Sequence, residues 1–235
     1  MIFIPSLFTF LNLFAGFCAV YLFYHGYSLK LSCIFIFTAL IFDGLDGYTA
    51  RLLNRETKSG IILDSIADFF TFGLAPVLLL HRTMHLPHAP IGLIILGLYT
   101  AATALRLILF SYFQLKNKKS SFFSGLPSPA SAGLLLSFMF VGISPDKHPE
   151  FYFILLFLLA GLMLSSIPFP KFHLIHWQPF GVVTFLAFLG FWTAFQAQAI
   201  PAAVFMTYLA YGIIHAFRYS GYWKTVALRF HKREI

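Results

Sequence analysis

Four aspartates hold most of the chemistry that this sequence can offer. The chain has eight acidic residues in 235, and four of them lie close together in apolar surroundings: Asp43, Asp46, Asp64 and Asp68. On helices, the first pair is spaced i,i+3 and the second i,i+4, so each pair projects its carboxylates from one face. Four neighbouring carboxylates repel one another unless cations neutralise them, and hard oxygen ligands suit Mg²⁺, Mn²⁺ or Ca²⁺. The spacing therefore predicts a divalent-cation site.

Small and basic residues accompany the four aspartates, and spacing alone leaves their roles open. Gly47 and Gly60 would let the backbone approach whatever fills the cavity. Glycines are also common where membrane helices pack against each other. Arg51 is suited either to pairing with a phosphate or carboxylate, or to anchoring a helix end at the cytoplasmic surface.

Written out, the pattern is Asp43-x2-Asp46-Gly47-x2-Ala50-Arg51-x8-Gly60-x3-Asp64-x3-Asp68. It resembles the complete signature of the CDP-alcohol phosphotransferases, which make phospholipids in membranes. The resemblance implies that the four aspartates hold two divalent ions, Mg²⁺ or Mn²⁺, and that Asp68 is also the catalytic base. It further implies a CDP-binding role for a set of residues in the same stretch: Asp46, Gly47, Ala50, Arg51 and Gly60.

The composition predicts the elements that position these residues. The chain is 59% hydrophobic and 10% charged, with a mean hydropathy of +0.82, which is typical of an integral membrane protein. A spanning helix needs about 20 apolar residues. We predict an all-α polytopic protein of about eight transmembrane helices, the first six forming the family core. The predicted segments are 4–24, 29–53, 59–80, 91–113, 128–144, 150–167, 179–196 and 199–217.

The basic residues predict the orientation. With both termini in the cytoplasm, twelve of the sixteen Lys and Arg residues fall on the cytoplasmic side and three on the other. The active site then faces the cytoplasm, at the inner membrane if the protein is bacterial. At ~1.5 Å per residue, Asp43 and Asp46 lie about 9 and 5 Å below the cytoplasmic edge, and Asp64 and Asp68 about 7 and 13 Å. The four carboxylates overlap in depth, so a shared cation site is geometrically possible.

We predict one membrane-embedded catalytic domain over residues 1–217 and a basic interfacial tail over 218–235. The tail mixes aromatic residues with cations, which is typical of a helix at a membrane surface. The positive-inside bias accounts for the net charge of +8, so no nucleic-acid partner is expected. The N-terminus has no basic region before its apolar segment, so no cleavable signal peptide is expected.

Further stretches resemble the phosphatidylserine synthase branch of the family: residues 5–17, 64–76, 124–133 and 165–172. In that branch, polar residues of the first helix lie near the nucleotide, which implies CDP-binding roles for Thr9 and Asn12. The resemblance implies CDP-diacylglycerol as donor, L-serine as acceptor, and phosphatidylserine and CMP as products. It also implies a homodimer surrounded by membrane lipids.

Arg106 is the only cation predicted to lie inside the membrane away from the helix ends. One guanidinium matches the single carboxylate of serine better than a phosphate dianion, so we predict that Arg106 binds the acceptor. The alternative is a structural partner of the aspartates. The branch pattern has Arg and Asn where this chain has Leu109 and Ser111. Another acceptor, such as glycerol 3-phosphate or inositol phosphate, therefore stays open.

A different class of function, an ion-coupled transporter, also uses carboxylates inside the membrane. Transporters often contain inverted repeats, and no second copy of the aspartate pattern is present. His81, His85 and His88 have helix-like spacing for a metal, but they flank prolines on the predicted outer side and are expected to be loop residues. Cys18 and Cys33 lie in apolar segments and are expected to be buried thiols.

Overall fold

The apolar segments form helices, and polar or proline-containing stretches separate them. The structure, a computed structural model, describes residues 3–52, 57–84, 90–116, 122–170 and 200–218. Within these ranges there are seven helices and one pair of short strands. The helices are α1 (Phe3–Tyr24), α2 (Leu29–Leu52), α3 (Lys58–Thr83), α4 (Pro90–Leu115), α5 (Ser128–Val141), α6 (Pro149–Leu164) and α7 (Ile200–Arg218). The strands are β1 (Phe122–Ser124) and β2 (Pro168–Pro170).

The helical class predicted from the sequence is confirmed, and the first six predicted segments correspond to α1 through α6. Three helices have the length and hydropathy to cross a membrane: α1 over Leu7–Tyr24, α3 over Lys58–Thr83 and α4 over Ile91–Leu115. The 24-residue α2 is long enough, but its C-terminal half contains carboxylates. Helices α5 and α6, with 14 and 16 residues, are short for a core of about 30 Å.

Two predictions fall on parts of the chain outside the described residues. Segment 179–196 lies in one of these parts, so the count of eight transmembrane helices stays a prediction. Residues 219–235, nearly all of the predicted interfacial tail, lie in another. The eighth predicted segment, 199–217, corresponds to α7.

Local signals in the sequence explain where several helices begin and end. Gly26 takes a positive φ of 88° in the turn between α1 and α2. The hydroxyl of Thr57 caps α3 by accepting a hydrogen bond from the Gly60 amide at 3.1 Å. Helix α5 ends at Gly142, whose φ of 104° is left-handed. The Thr57 cap thus sets the start of the helix that contains Asp64 and Asp68.

Helix α3 changes its winding directly after the last aspartate. Residues Lys58–Asp68 are α-helical, Phe69–Leu74 form a π-helical turn, and the α-helix resumes at Ala75. The Thr71 hydroxyl in this turn donates a hydrogen bond to the Asn12 carbonyl oxygen at 3.3 Å. A Cβ atom on Gly16 would lie 2.6 Å from the Thr71 hydroxyl oxygen, so α1 packs very closely on the turn. Single π turns are frequent at functional sites, and this one lies beside Asp68.

A two-stranded antiparallel sheet joins the chain after α4 to the chain after α6. Phe123 pairs with Phe169 at the centre of the register. Gly125, with a φ of 78°, donates a hydrogen bond from its amide to the Ile167 carbonyl oxygen at 2.9 Å. The sequence did not predict these strands, because each has three residues and β2 contains two prolines, which cannot donate ladder hydrogen bonds.

Helix α5 lies at the centre of the bundle. All of its residues except Pro129 and Phe140 are buried. It packs against α2, α6 and α7, and the fully buried rings of Tyr99 and Tyr152 extend the same core. A helix that is apolar on all sides is expected in such a position. Because α5 begins at Ser128, its first polar side chain lies inside the bundle.

Candidate active site

Three of the four aspartates meet at the interface of α2 and α3. Asp43, Asp64 and Asp68 each offer a carboxylate oxygen, and these oxygens all lie within 4.8 Å of one another. Asp68 is buried, whereas Asp43 and Asp64 are half-buried. Helix geometry explains the convergence, because the i,i+4 pair on α3 faces the C-terminal half of the antiparallel α2. The sequence predicted this cluster.

Asp46 joins the cluster from one turn further along α2. It is buried, and its Oδ2 accepts a hydrogen bond from the Thr9 hydroxyl at 2.7 Å. Its carboxyl group is within hydrogen-bonding range of the Asp64 carboxyl group. Its Oδ1 is buried and has no hydrogen-bond donor among the described residues. Two ionised carboxylates this close need a cation or a shared proton between them.

Helix α1 supports the carboxylates. Asn12 is fully buried, and its Nδ2 donates a hydrogen bond to Asp68 Oδ1 at 2.9 Å. Thr9 lies one turn earlier and holds Asp46. In the structure, both polar residues that were predicted to lie near a nucleotide form hydrogen bonds with aspartates. Their direct effect is to fix the orientation of two carboxylates.

The donor set suits a hard divalent cation. Carboxylates from two helices lie together at one point, and three of them offer oxygens within 4.8 Å of one another. Two buried acceptors next to it, Asp46 Oδ1 and Asn12 Oδ1, have no donor in the part of the chain that the structure describes. Oxygen atoms without donors match what Mg²⁺ or Mn²⁺ requires of its ligands and their water shell.

The remaining residues predicted to bind CDP lie around the same site. Gly47 is exposed and Ala50 is half-exposed on α2, at i+4 and i+7 from Asp43. Gly60 is half-buried in the first turn of α3, where its amide bonds the Thr57 hydroxyl. The backbone of Arg51 lies in the last turn of α2, but its side chain lies outside the described part of the chain. The Gly47 and Ala50 face is thus open beside the carboxylates.

Arg106 reaches the cluster from α4. It is only 7% exposed, and its Nη1 donates a hydrogen bond to the Ser128 hydroxyl at 2.7 Å. The side chains of Asp68, Asp43, Tyr208 and Tyr99 lie near enough to influence its guanidinium. The predicted acceptor residue therefore lies beside the predicted catalytic base. It is also a partner of the aspartates, so the two alternatives for Arg106 are compatible.

Sequence reasoning missed two residues at this place. Ser128 lies in the stretch 124–133, which was noted only for its resemblance to a branch of the family. Tyr208 lies on α7, where no pattern gave a signal. Ser128 could have been singled out as the polar residue that begins α5 next to a proline. The position of Tyr208 depends on tertiary packing.

The two positions that depart from the branch pattern lie elsewhere on α4. Leu109 is 52% exposed and does not line the space around Arg106. Ser111 is buried, and its hydroxyl lies 2.5 Å from the Ser65 hydroxyl on α3. These departures therefore affect the outer surface of α4 and its contact with α3, and not the neighbourhood of Arg106.

A cavity of about 460 Å³ lies between α3 and α4, but it is not the chemical site. Its lining is almost entirely apolar and includes Ile62, Ile66 and Phe69 of α3. These residues occupy the opposite face of the helix from Gly60, Asp64 and Asp68. We assign the chemistry to the carboxylates, because they are the described residues that bring metal-ligating groups together at one point.

The histidines and cysteines add no second site within the described residues. His81 is half-buried in the last turn of α3, and His85 and His88 lie outside those residues. Cys33 is buried and Cys18 half-buried, and both are free thiols. The expectation of buried, unpaired cysteines is confirmed for Cys33, and holds in part for Cys18.

Comparisons with known proteins match nearly the whole chain. A family model described as CDP-alcohol phosphatidyltransferase matches residues 2–228. A CDP-diacylglycerol--serine O-phosphatidyltransferase of Helicobacter pylori is 32% identical over 217 residues, 89% of each chain. One of Methanocaldococcus jannaschii is 34% identical over 212 residues, 90% of this chain and 91% of its own. An archaetidylserine synthase of Methanothermobacter thermautotrophicus is 31% identical over 170 residues, 72% and 70% of the two chains.

Proposed function

The chain belongs to the CDP-alcohol phosphatidyltransferase family, and we propose that it transfers the phosphatidyl group of CDP-diacylglycerol to the hydroxyl of L-serine. The products are phosphatidylserine and CMP. The observation that carries the proposal is the convergence of Asp43, Asp64 and Asp68 within 4.8 Å, with Asp46 beside them. The names of the relatives support serine as the acceptor. The comparisons give no support to the transporter alternative.

In this proposal the four aspartates hold two divalent cations, Mg²⁺ or Mn²⁺. Bound there, the cations would supply positive charge to the pyrophosphate oxygens and to the leaving CMP. Thr9 and Asn12 keep two of the carboxylates in their ligating orientation. Removal of a residue that orients a metal-ligating side chain typically lowers metal affinity or activity by about 10- to 100-fold.

Asp68 removes the proton from the serine hydroxyl. Asn12 occupies Asp68 Oδ1, so the other oxygen, Oδ2, accepts that proton. The serine oxygen then attacks the β-phosphorus, that of the phosphatidyl group, as the bond to the oxygen of CMP breaks in line with it. The position of Asp68 inside the cluster matters more for its role as the base than its basicity does, because nearby cations favour the ionised form of its carboxyl group.

Arg106 binds the serine carboxylate. It lies beside Asp68, is buried and is oriented by Ser128. A single guanidinium matches a single carboxylate, and a fork of N–H donors can bind both carboxylate oxygens. This arrangement brings the acceptor hydroxyl towards Asp68.

The nucleotide of the donor lies along the open face of α2. Gly47 and Ala50 leave room for it, Gly60 faces it from α3, and Arg51 lies at the mouth for a phosphate. Asp46 takes part through the metal. Thr9 and Asn12 contribute to this CDP site indirectly, through the carboxylates that they orient.

The membrane surrounds this site. The chain is an integral membrane protein of the family, and the apolar helices let the two acyl tails of the donor remain in the bilayer. We place the active site and both termini on the cytoplasmic side because of the distribution of Lys and Arg. A homodimer is proposed on the family resemblance alone. Nucleic acid has no role in the proposal.

An acceptor panel tests the function. Purified protein in detergent is supplied with CDP-diacylglycerol and Mn²⁺ or Mg²⁺, and CMP release is measured with L-serine, glycerol 3-phosphate or inositol phosphate. We expect release to depend on the divalent ion, to stop with EDTA and to be far faster with serine. If another alcohol is the best acceptor, the family chemistry stands and the serine assignment is wrong.

A further inference from the structure

The π-helical turn Phe69–Leu74 brings two polar side chains of α3 against the same residue of α1. Asp68, directly before the turn, accepts a hydrogen bond at Oδ1 from Asn12 Nδ2 at 2.9 Å. Thr71, inside the turn, donates from its hydroxyl to the backbone carbonyl oxygen of Asn12 at 3.3 Å. Asn12 and Thr71 are fully buried and Asp68 is 6% exposed, so both bonds are shielded from solvent. The side chain and the backbone of Asn12 are therefore both tied to α3.

A glycine on α1 makes the bond from Thr71 possible. In an α-helix the carbonyl of residue i lies against residue i+4, which for Asn12 is Gly16. A Cβ atom on Gly16 would lie 2.6 Å from the Thr71 hydroxyl oxygen. Because glycine has no Cβ, the hydroxyl reaches the Asn12 carbonyl oxygen, whose two lone pairs can serve both α1 and Thr71.

The same turn is also held from α4 and α5. The Tyr99 hydroxyl donates a hydrogen bond to the Phe72 carbonyl oxygen at 3.2 Å, and it accepts one from the Ser131 hydroxyl at 3.2 Å. All three of these residues are fully buried. Two adjacent residues of the turn, Thr71 and Phe72, are thus bonded to different helices. The turn is fixed in place, and Thr71 stays against Asn12.

We propose that Thr71 is a positioning residue for the catalytic base: by holding the Asn12 backbone, it keeps the Asn12 amide against Asp68 Oδ1 and leaves Oδ2 for the acceptor hydroxyl. The inference rests on the proposed function and deepens it, because Asp68 is the group that takes the proton. A shift of α1 along α3 would have to break both bonds of Asn12 together. The π turn therefore couples the packing of α1 to the orientation of one carboxylate.

The test compares Thr71→Ser with Thr71→Ala. Both variants lose the methyl group, and only Thr71→Ser keeps the hydroxyl. At saturating Mn²⁺ we expect kcat for CMP release to be about three- to tenfold lower in Thr71→Ala than in Thr71→Ser, the usual effect of one buried hydrogen bond. The KM values for serine and CDP-diacylglycerol should differ by less than about twofold. Equal kcat values in the two folded variants would overturn the inference.

If Thr71→Ala does not fold, Thr71→Val replaces it and is compared with the wild type. This substitution removes the hydroxyl at nearly constant volume, and the same three- to tenfold loss of kcat is expected. Thermal unfolding in detergent shows which variants are folded. A wild-type kcat in folded Thr71→Val protein would overturn the inference in the same way.

The matched control is the same pair of substitutions at Thr207. Thr207 is also buried, and its hydroxyl donates to the Ala203 carbonyl oxygen in its own helix, α7, at 2.7 Å. The kcat values of Thr207→Ser and Thr207→Ala should agree within about twofold. A kcat difference as large as that at Thr71 would mean that the loss of any buried hydroxyl slows turnover, and the inference would be wrong.

A double-mutant cycle shows whether Thr71 acts through the Asn12 amide. In an Asn12→Ala background the carbonyl at residue 12 remains, so Thr71→Ala should still be less thermally stable than Thr71→Ser. The kcat difference between the two should disappear, because no amide is left to position. A kcat difference that persists in full in this background would contradict the positioning role.

The Asp68→Asn variant separates this inference from the function on which it rests. If folded Asp68→Asn protein releases CMP at a near-normal rate, the assignment of the base fails, and the role of Thr71 fails with it. If Asp68→Asn abolishes release but the two Thr71 variants have equal kcat, the proposed function stands and only the positioning role is wrong.

Discussion

At the scale of single residues, the site is built from carboxylates and the polar groups that orient them. Asp46 and Asp68 each receive one hydrogen bond from α1, from Thr9 and Asn12. Each carboxylate therefore keeps a second oxygen that can bind a cation or accept a proton. The sequence predicted the carboxylates because their spacing is a local property of two helices. It gave no sign that Thr9 and Asn12 bond to them, because that pairing depends on how α1 packs.

The ligand role of the aspartates predicts a loss of metal affinity. Asp43→Ala, Asp46→Ala and Asp64→Ala should each weaken Mn²⁺ binding as well as the rate, because each removes an oxygen ligand from a shared site. Mn²⁺ titration followed by calorimetry or electron paramagnetic resonance measures this. The control is Asp146→Ala, whose carboxylate is exposed in the loop between α5 and α6. Titrations that match the wild type would show that the carboxylates share no cation.

The support from α1 predicts an indirect effect. Thr9→Val keeps the shape of the side chain and removes the donor to Asp46, so we expect CMP release to fall about 10- to 100-fold at limiting Mn²⁺. The loss should shrink as Mn²⁺ is raised, because the ligand itself is intact. Thr38→Val is the control, since the Thr38 hydroxyl only bonds the Ile34 carbonyl oxygen in its own helix. An equal loss at all Mn²⁺ concentrations would argue against orientation of the ligand.

At the scale of elements, regular helices were predictable and irregular ones were not. Segments 4–24 and 29–53 match α1 and α2 within one residue at each end, because apolar length and Gly26 define them. The π turn Phe69–Leu74 has no pattern of its own. It coincides with the close packing of Gly16 on Thr71, a contact between residues 55 positions apart that no local pattern shows. The β1–β2 pair likewise depends on contacts between distant segments.

The sheet predicts a sensitive glycine. Gly125→Ala should lower stability and serine turnover together, because a Cβ there would lie 2.3 Å from the Met163 carbonyl oxygen at a φ of 78°. Gly142→Ala is the matched control: it also has a positive φ, of 104°, but no atom lies within 4 Å of its Cβ position. We expect Gly142→Ala to lower the free energy of unfolding by only about 1–2 kcal/mol.

Thermal unfolding in detergent, followed by circular dichroism, compares the two glycine variants. Equal losses of stability would mean that the backbone conformation alone matters and that the sheet does not hold Ser128. A larger loss in Gly125→Ala, with a raised acceptor KM, is the expected result.

At the scale of the whole molecule, the charge distribution predicts the orientation in the membrane. The predicted cytoplasmic side has twelve Lys and Arg residues against three on the other side. Of the three clearest spanning helices of the described residues, α1 and α4 both pack against α3, which contains Asp64 and Asp68. The number of crossings was the least predictable feature, because α5 and α6 are short and buried among other helices.

The orientation is tested by labelling single cysteines. In a background with Cys18 and Cys33 replaced by serine, a cysteine at Lys118 should react with an impermeant maleimide only from the cytoplasmic side. A cysteine at Lys147, which is exposed in the loop before α6, should react only from outside. Inside-out and right-side-out vesicles give the two arms, and the reverse pattern would place the active site on the other face.

The most direct test of the central claim is CMP release by purified Asp68→Asn protein. The substitution removes the base at almost constant volume and keeps an oxygen for Asn12, so the protein should fold and retain its thermal stability. With CDP-diacylglycerol, L-serine and saturating Mn²⁺, we predict that CMP release falls at least about a thousandfold, to the background of the assay. Near-normal release by folded Asp68→Asn protein would contradict the assignment of the reaction to this cluster of carboxylates.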